Sequence, residues 1–246
     1  MIKKIGLMIL FSLWSNMTLA AGYFPMYSSW DQPDGPGSEI TLTYSYINLF
    51  DGGIKDMITG EAIDNSLLKS IVETALWDYA NILPIHFVEQ VDSGPLPETG
   101  EYNPMGHPDI RIGHVPHIDG ANAYAYFPFE ESGLAGDIVV NADRFGVQWL
   151  PSIFYAIIQH ELGHSLGMGH FVEYGDETNL ASEDSIYTGP TYPLTIDMIT
   201  ALQGVYGAGQ GSVTSLSAVP LPAAVWLFSS ALSMLFGFRI SSFRKK

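Results

Sequence analysis

The order of the elements predicted along this chain indicates an α+β fold. Short segments of alternating or continuous apolar residues, which are typical of strands, lie between clusters of Gly and Pro. A long amphipathic helix is predicted near residue 70, and two more helices follow the last of these strands. Because a sheet followed by packed helices is typical of α+β domains, we expect that class here.

Five segments are predicted to be strands. Ile40–Ile47 alternates apolar and polar residues, as expected for a strand with one buried face. The other four strands are predicted at Ile85–Val91, Asp109–Val115, Asn122–Phe127 and Asp137–Asn141. Together with the helices they have the size of a single domain with an adequate core, which we place at residues 21–207.

Three segments are predicted to be helices. The first starts at an N-cap, Asp64 or Asn65, and its apolar residues recur at helical spacing as far as residue 80. The second runs from Pro151, a favoured first-turn residue, to Gly167, a favoured helix terminator. The third is predicted at Thr195–Val205, and a flexible linker rich in Gly and Ser is expected at residues 208–218.

The second helix carries the motif with the clearest chemical meaning, HELGHSLGMGH at residues 160–170. His160 and His164 are four residues apart, so both imidazoles lie on one helical face and can reach one tetrahedral ion. If Gly167 ends the helix, the chain can turn so that His170 supplies a third nitrogen. Three such ligands predict a zinc site whose fourth position is left for water.

Glu161 gives this predicted site a catalytic character. It lies beside the first ligand without being needed as a ligand itself, so its carboxylate is free to act as a general base. A zinc with three protein ligands lowers the pKa of its water to about 7. The alternative is a coincidence, a helix with polar residues on its open face.

The motif and its surroundings resemble the matrixins, the branch of the metzincins that contains the matrix metalloproteinases. Residues 160–170 fit the metzincin pattern HExxHxxGxxH, and the form HELGHSLGMGH is most similar to the matrixin version. The resemblance covers roughly residues 30–207, in matrixin order, through these segments: Trp30, Leu42–Tyr44, Ala75–Trp77, Leu83–Phe87, Asp109–Ile112, Ala123–Pro128, Gly136–Asp137 and Leu194–Gly207. It implies a metzincin catalytic domain with a twisted mixed sheet, an active-site helix, a second long helix and a C-terminal helix.

The resemblance also implies a zinc endopeptidase and places its substrate-binding residues. Ala123, Tyr124 and Ala125 would form the edge strand along which an extended peptide adds as a further strand. The alternative for this segment is a plain interior strand. Pro190 and Tyr192 match the wall of the family's specificity pocket, and Ile186 takes the place of the methionine that lies under the zinc.

Two further cation sites of the family are altered in this chain. Tyr124 and Val139 stand where the second, structural zinc would take histidines, so we expect one zinc, although His114, His117 and Asp119 could still gather an ion. At a calcium site, Asp119 and Asn141 remain as oxygen ligands. Arg144 falls where a Glu is expected, so calcium is doubtful, and we expect Arg144 to pair with Asp119 instead.

Both ends of the chain have the composition of targeting segments. Residues 1–20 combine Lys3 and Lys4 with a short apolar run and small residues, which predicts a secretory signal peptide. Residues 219–246 contain an apolar run long enough for a membrane helix, followed by a basic tail. This segment closely resembles the VPLPAA variant of the PEP-CTERM sorting signal of Gram-negative bacteria. That resemblance implies transient anchoring, processing by an exosortase, and a final place in the cell envelope or outside the cell.

Charge and cysteine content narrow the functional classes. All 26 acidic residues lie between Asp31 and Asp197, where only four of the ten basic residues are found. So acidic a surface repels nucleic acid, which we exclude as a partner. The absence of Cys excludes a disulfide framework.

Three functions remain open from the sequence. The first is a secreted endopeptidase acting on protein or peptide substrates. The second is a catalytically idle zinc-binding or structural protein of an exopolysaccharide-associated extracellular matrix, against which Glu161 argues because a structural zinc needs no base. The third is a zinc hydrolase acting on a non-peptide amide or ester.

Overall fold

A computed structural model describes residues 22–92, 94, 108–129, 133–143, 148–170, 172–173 and 194–216. Three helices and eight strands lie in this part of the chain. In chain order they are β1 (Gly22–Tyr23), β2 (Ile40–Tyr46), α1 (Asn65–Ala80), β3 (Ile85–Glu89), β4 (Ile110–Val115), β5 (Ala123–Ala125), β6 (Ile138–Asn141), α2 (Pro151–Ser165), β7 (Val172–Glu173), α3 (Ile196–Tyr206) and β8 (Ser212–Thr214).

Six of the strands form one mixed sheet in the order β5-β6-β4-β2-β3-β8. All neighbouring pairs are parallel except β5 and β6, which are antiparallel. The α+β class is therefore confirmed. The five predicted strands are all present, and each is one to three residues shorter than its sequence pattern suggests.

Helix α1 begins where the sequence predicts. The side chain of Asp64 accepts hydrogen bonds from the backbone N–H groups of Ser66 and Leu67, which have no partner inside the helix. The apolar residues of one face are buried: Leu68, Ile71, Val72, Ala75, Leu76, Tyr79 and Ala80. This face packs against α2 and β3 and forms part of the core.

Helix α2 lies at the centre of the domain, between α1 and the strands β5 and β6. Pro151 occupies its first turn, and its side chains are buried on almost every side. The helix ends at Ser165, two residues before the predicted terminator, and Gly167 has a φ of 93° in the turn that follows. This central position makes α2 a rigid support for side chains that point into the cleft beside β5.

The prediction of a flexible linker at residues 208–218 needs correction, because β8 lies within this segment. Val213 pairs with Phe87 of β3, so the sheet continues past the predicted domain boundary at residue 207. The glycines that suggested flexibility are instead required by close packing. A Cβ on Gly211 would lie 1.8 Å from the Ile85 carbonyl oxygen, and one on Gly209 would lie 2.8 Å from the Pro84 side chain.

A second, two-stranded sheet was not predicted. Strand β1 pairs antiparallel with β7, and the chain between them is held by an isolated bridge from Met26 to Met168. Strands of two residues are too short to produce a periodic sequence pattern. The pairing brings the start of the described chain against the segment that follows α2.

The predicted targeting segments lie outside the described residues. These are the signal peptide at residues 1–20 and the sorting segment at residues 219–246 with its apolar run. Among the helices of the described part, none is long and apolar enough to span a bilayer.

Candidate metal centre

Three imidazoles meet at the end of α2. The Nε2 atoms of His160 and His164 are 2.9 Å apart, those of His164 and His170 are 3.1 Å apart, and those of His160 and His170 are 3.3 Å apart. The first two histidines are one helical turn apart on α2, as the motif predicts. The third reaches them from the loop after the helix.

The turn after α2 explains how His170 reaches the other two rings. The N–H of Gly167 donates to the His164 carbonyl at 2.8 Å, and the N–H of Met168 donates to the Gly163 carbonyl at 2.9 Å. This is the Schellman arrangement, in which a residue with positive φ ends a helix and reverses the chain. A Cβ on Gly167 would lie only 2.1 Å from the Ser28 carbonyl oxygen, so glycine is needed here for space as well as for conformation.

Hydrogen bonding and burial keep His160 and His164 in the neutral form that metals bind. The Nδ1 of His164 lies 2.7 Å from the Met168 carbonyl oxygen, which can only accept, so this nitrogen carries the proton and Nε2 keeps its lone pair. Burial lowers the pKa of His164 to about 4. Burial, with the neighbouring His164 and His170, lowers the pKa of His160 to about 2.

The geometry of the triad fits a tetrahedral metal ion. Zinc binds histidine nitrogens at about 2.0–2.1 Å, which places two such ligands about 3.3 Å apart. The three observed separations lie at or just below this value. His160, His164 and His170 could therefore hold a metal ion.

The other two histidines predicted as possible cation ligands each pair with a single carboxylate. His114 contacts Asp51 at 2.7 Å, and His117 contacts Asp119 at 2.9 Å. Within the described ranges, the triad of α2 is the sole group of three His, Cys, Asp or Glu side chains close enough to share an ion. The structure therefore does not bring His114, His117 and Asp119 together as one cation site.

Asn141, a predicted calcium ligand, acts here as a hydrogen-bond donor. Its Nδ2 donates to the carbonyl oxygens of Ile118 at 2.9 Å and Ala121 at 2.8 Å. These bonds close the loop between β4 and β5, and they leave the Oδ1 of Asn141 buried without a hydrogen-bond partner. Tyr124 and Val139, which replace the histidines of a second zinc, are paired directly across β5 and β6.

A cleft of about 300 Å³ lies in front of the triad. His160, Glu161, His164 and His170 line it together. Glu161 is buried, with 4% of its surface exposed, so its carboxylate sits inside the domain and beside the metal ligands. The cleft therefore brings a potential base and a potential metal site to the same small volume.

Strand β5 forms one wall of this cleft. The predicted substrate-binding residues Ala123, Tyr124 and Ala125 are the whole of β5, and all three line the cleft. The strand lies at the edge of the six-stranded sheet, so the interior-strand alternative is wrong. An edge strand has main-chain groups directed away from its one partner, which is what an extended peptide needs in order to add to a sheet.

Aromatic side chains that the sequence did not single out complete the cleft. Tyr27 and Phe127 line it, and their ring centroids are 5.4 Å apart. The Phe127 ring also meets His164 edge-on at 5.7 Å. Phe127 lies within a predicted strand, whereas nothing in the local sequence marks Tyr27, which reaches the cleft through the pairing of the N-terminal segment with residues 167–173.

Four predicted residues lie outside the described part of the chain. They are Arg144, Ile186, Pro190 and Tyr192. The pairing of Arg144 with Asp119, the apolar floor formed by Ile186 and the pocket wall formed by Pro190 and Tyr192 therefore stay predictions.

Comparison with known proteins agrees with the site at a coarse level. No family model matches the chain. The interstitial collagenase of Sus scrofa is 29% identical to it over 167 residues, a stretch that covers 63% of this chain and 30% of the collagenase. The chain thus spans less than a third of that protein's length, and the similarity is distant. Together with a histidine triad that could bind a metal ion, it supports a function of the metalloprotease type.

Proposed function

We propose that this chain is a zinc-dependent endopeptidase of the matrixin-like metzincin type. One observation carries the proposal: three imidazole nitrogens that fit a metal ion and the carboxylate of Glu161 line a single cleft, whose wall is an edge strand. A closed structural zinc site would need neither the base nor the cleft. The distant similarity to a collagenase supports the same reaction class.

The residues of the cleft have separate roles in the proposed peptide hydrolysis. His160, His164 and His170 would hold the zinc, which would supply polarisation of the scissile carbonyl and a lowered pKa of water. Glu161 accepts a proton from the attacking water at a carboxylate oxygen and then passes this proton to the nitrogen of the leaving amine. Because Glu161 is buried beside the ligands, the transfer takes place away from bulk solvent.

Strand β5 aligns the substrate in this proposal. Its outward main-chain groups pair with an extended peptide and hold the scissile bond in front of the triad. Tyr27 and Phe127 supply an apolar wall on the side of His164. Pro190 and Tyr192 would complete a specificity pocket, with Ile186 packing under the metal in place of the family's methionine.

The proposal includes export of the enzyme from a Gram-negative cell. The signal peptide at residues 1–20 would direct secretion, and the VPLPAA-type segment at residues 219–246 would anchor the protein transiently until an exosortase processes it. The strongly acidic composition of residues 31–197 suits a soluble extracellular domain. The mature enzyme would then act in the cell envelope or outside the cell.

Incubation with a proteome-derived peptide library tests the function directly. The zinc-loaded protein should produce internal cleavages that Glu161→Ala does not, while His117→Ala, which changes an exposed histidine outside the triad, should cleave as wild type does. Zinc binding by wild type without any cleavage would favour the idle matrix protein instead. Hydrolysis of small esters or amides without peptide cleavage would favour the non-peptide hydrolase.

A further inference from the structure

Three consecutive carbonyl groups at the end of α2 receive hydrogen bonds from outside the helix. The Trp30 indole Nε1 donates to the Ser165 carbonyl at 2.9 Å, the Tyr206 hydroxyl donates to the Leu166 carbonyl at 2.8 Å, and the Tyr27 N–H donates to the Gly167 carbonyl at 2.8 Å. The last carbonyls of a helix lack partners within it, so each of these donors satisfies a group that would otherwise be left without one.

Tyr206 holds the central position among these donors. Its hydroxyl donates to the Leu166 carbonyl and also accepts the backbone N–H of Trp30 at 3.1 Å. One oxygen atom therefore joins the N-terminal segment, the end of α2 and the end of α3. Tyr206 is 1% exposed, and burial raises its pKa well above the ordinary value, so the hydroxyl stays protonated and remains a donor.

The turn that Tyr206 contacts is the one that carries the third metal ligand. Only residues 167–169 separate Leu166 from His170, so a change in the direction of the Leu166 carbonyl is passed on to the His170 ring within a few bonds. The opposite side of the turn is fixed as well, because the N–H of Gly169 donates to the Pro25 carbonyl at 2.7 Å. Nitrogen ligands must meet the ion within a few tenths of an ångström, so small shifts of this turn weaken binding.

We propose that Tyr206 is a positioning residue of the metal centre, which fixes the turn at residues 166–169 so that the His170 imidazole completes the triad. Tyr206 does not line the cleft and is not a ligand. It acts through the Leu166 carbonyl, in the way that residues behind a metal site orient its ligands. This inference rests on the metal-binding part of the proposed function and not on peptide cleavage.

The test is the zinc affinity of Tyr206→Phe in the full chain, measured by competition with a chromophoric chelator. This substitution removes one hydroxyl and keeps the ring that packs in the core. We expect about one zinc per chain with an affinity at least about tenfold lower than that of wild type, because loss of an orienting partner typically costs 10–100-fold in metal affinity. The visible absorption of the cobalt(II)-substituted protein should change as well, since it reports the ligand geometry.

Tyr79→Phe provides the matched control. Tyr79 is as deeply buried as Tyr206, and its hydroxyl donates at 2.7 Å to the carbonyl of Gln159, which lies inside α2, where the helix itself fixes the direction of the carbonyl. We expect Tyr79→Phe to lower the stability of the metal-free protein while its zinc affinity and cobalt spectrum stay those of wild type. Equal zinc affinities for wild type and Tyr206→Phe would overturn the proposal and reduce Tyr206 to a stabilising core residue.

A second variant decides the matter if Tyr206→Phe does not fold. Tyr206→Phe is then combined with Gly204→Ala, which places a methyl group in open space inside α3 and should stabilise the helix, and wild-type zinc affinity in this double variant would overturn the proposal. Failure of the proposed function has a different signature. In that case wild type would bind zinc and cleave no peptide, whatever the ratio of affinities between the variants, whereas a wild type that bound no zinc would overturn both proposals.

Discussion

At His164, a single hydrogen bond decides which ring nitrogen is available to a metal. The carbonyl of Met168 holds the proton on Nδ1, so the lone pair of Nε2 points to His160 and His170. The helix α2 thus carries His164, and the backbone of the turn that follows fixes the orientation of its ring. Glu161, the next residue after His160, lines the same cleft, and its carboxylate is not needed as a metal ligand.

Replacement of Glu161 by its neutral isostere should separate catalysis from metal binding. Glu161→Gln cannot accept the proton of the attacking water, so we expect kcat to fall by a factor of about 10²–10⁴, the usual contribution of a positioned base. Zinc content should stay at the wild-type level, because the three nitrogens are unchanged. Steady-state kinetics on a fluorogenic peptide, with elemental analysis of the same samples, measure both quantities. Wild-type turnover by this variant would refute the role of Glu161.

Removal of the central ligand should instead abolish metal binding. The dialysed wild-type protein should hold about one zinc per chain, and His164→Ala should hold much less, because two remaining imidazoles bind weakly. His117→Ala is the control, since His117 is exposed and pairs with Asp119 away from the triad. Two tightly held zincs in wild type, or full occupancy in His164→Ala, would contradict the assigned centre.

The ligands could be predicted from the sequence because their spacing is set by local geometry. A helical period relates His160 to His164, and a single glycine turn relates them to His170. The residues behind the ligands have no such signal. Trp30 and Tyr206 meet across 176 positions of the chain, a contact that depends on how the whole domain packs.

At the scale of elements, the end of α2 depends on a glycine for two separate reasons. Gly167 has a φ of 93°, which costs a residue with a Cβ roughly 1–2 kcal/mol. A Cβ at this position would also lie 2.1 Å from the Ser28 carbonyl oxygen, a backbone atom that cannot move without shifting the N-terminal segment. The turn and the segment packed on it therefore constrain each other.

We expect Gly167→Ala to be strongly destabilising. The loss should exceed about 2 kcal/mol, since the conformational cost and the clash add. Gly204→Ala is the matched control: Gly204 lies inside α3 with open space where a Cβ would stand, so alanine there should stabilise the protein by about 0.5–1 kcal/mol. Urea denaturation of both variants measures the difference. Equal and small effects would show that the turn tolerates a side chain.

The elements that escaped prediction are those held by distant partners. Strand β8 lies among glycines that resemble a linker, yet Gly209 and Gly211 are there because Pro84 and Ile85 approach so closely. Strands β1 and β7 are two residues long and have no period to detect. By contrast, the three helices were found from their apolar spacing and end signals, with bounds within two residues of those observed.

Truncation should show that β8 belongs to the domain. A chain shortened after residue 216 keeps the pairing of β8 with β3, whereas one shortened after residue 207 exposes the edge of β3. We expect the shorter chain to unfold at a distinctly lower temperature than the chain that ends at residue 216. Coincident thermal transitions, followed by circular dichroism, would mean that residues 208–216 are the linker that their composition suggests.

At the scale of the whole molecule, one buried arginine, Arg111, forms ion pairs with two buried carboxylates. Arg111 contacts Asp92 at 2.7 Å and Asp137 at 3.4 Å, and its own side chain is 2% exposed. Burial raises the pKa of Asp137 to about 7, and the attraction of Arg111 offsets only part of this effect. The network ties β4 to the start of β6, beside the strand that borders the cleft.

This raised pKa makes stability depend on pH in a defined direction. The folded protein keeps the Asp137 proton after the unfolded chain has lost it, so the contribution of this carboxyl is complete below about pH 4 and declines as the pH rises to about 7. The stability of wild type relative to Asp137→Asn should therefore fall across this range. Urea denaturation of the metal-free proteins at a series of pH values measures it. A difference that is constant with pH would show that Asp137 is ionised throughout.

The contact of Trp30 with Tyr206 at the end of α2 has a consequence for how the protein folds during synthesis. Contacts between residues so far apart in sequence form late and slowly, because closing the chain between them is costly in entropy. Synthesis delivers the three histidines well before α3, whose Tyr206 holds the turn of the third ligand. While α3 is still inside the ribosome, the nascent chain therefore carries the histidine motif without the contact that positions its third imidazole, and we expect the triad to be complete only after α3 has been released.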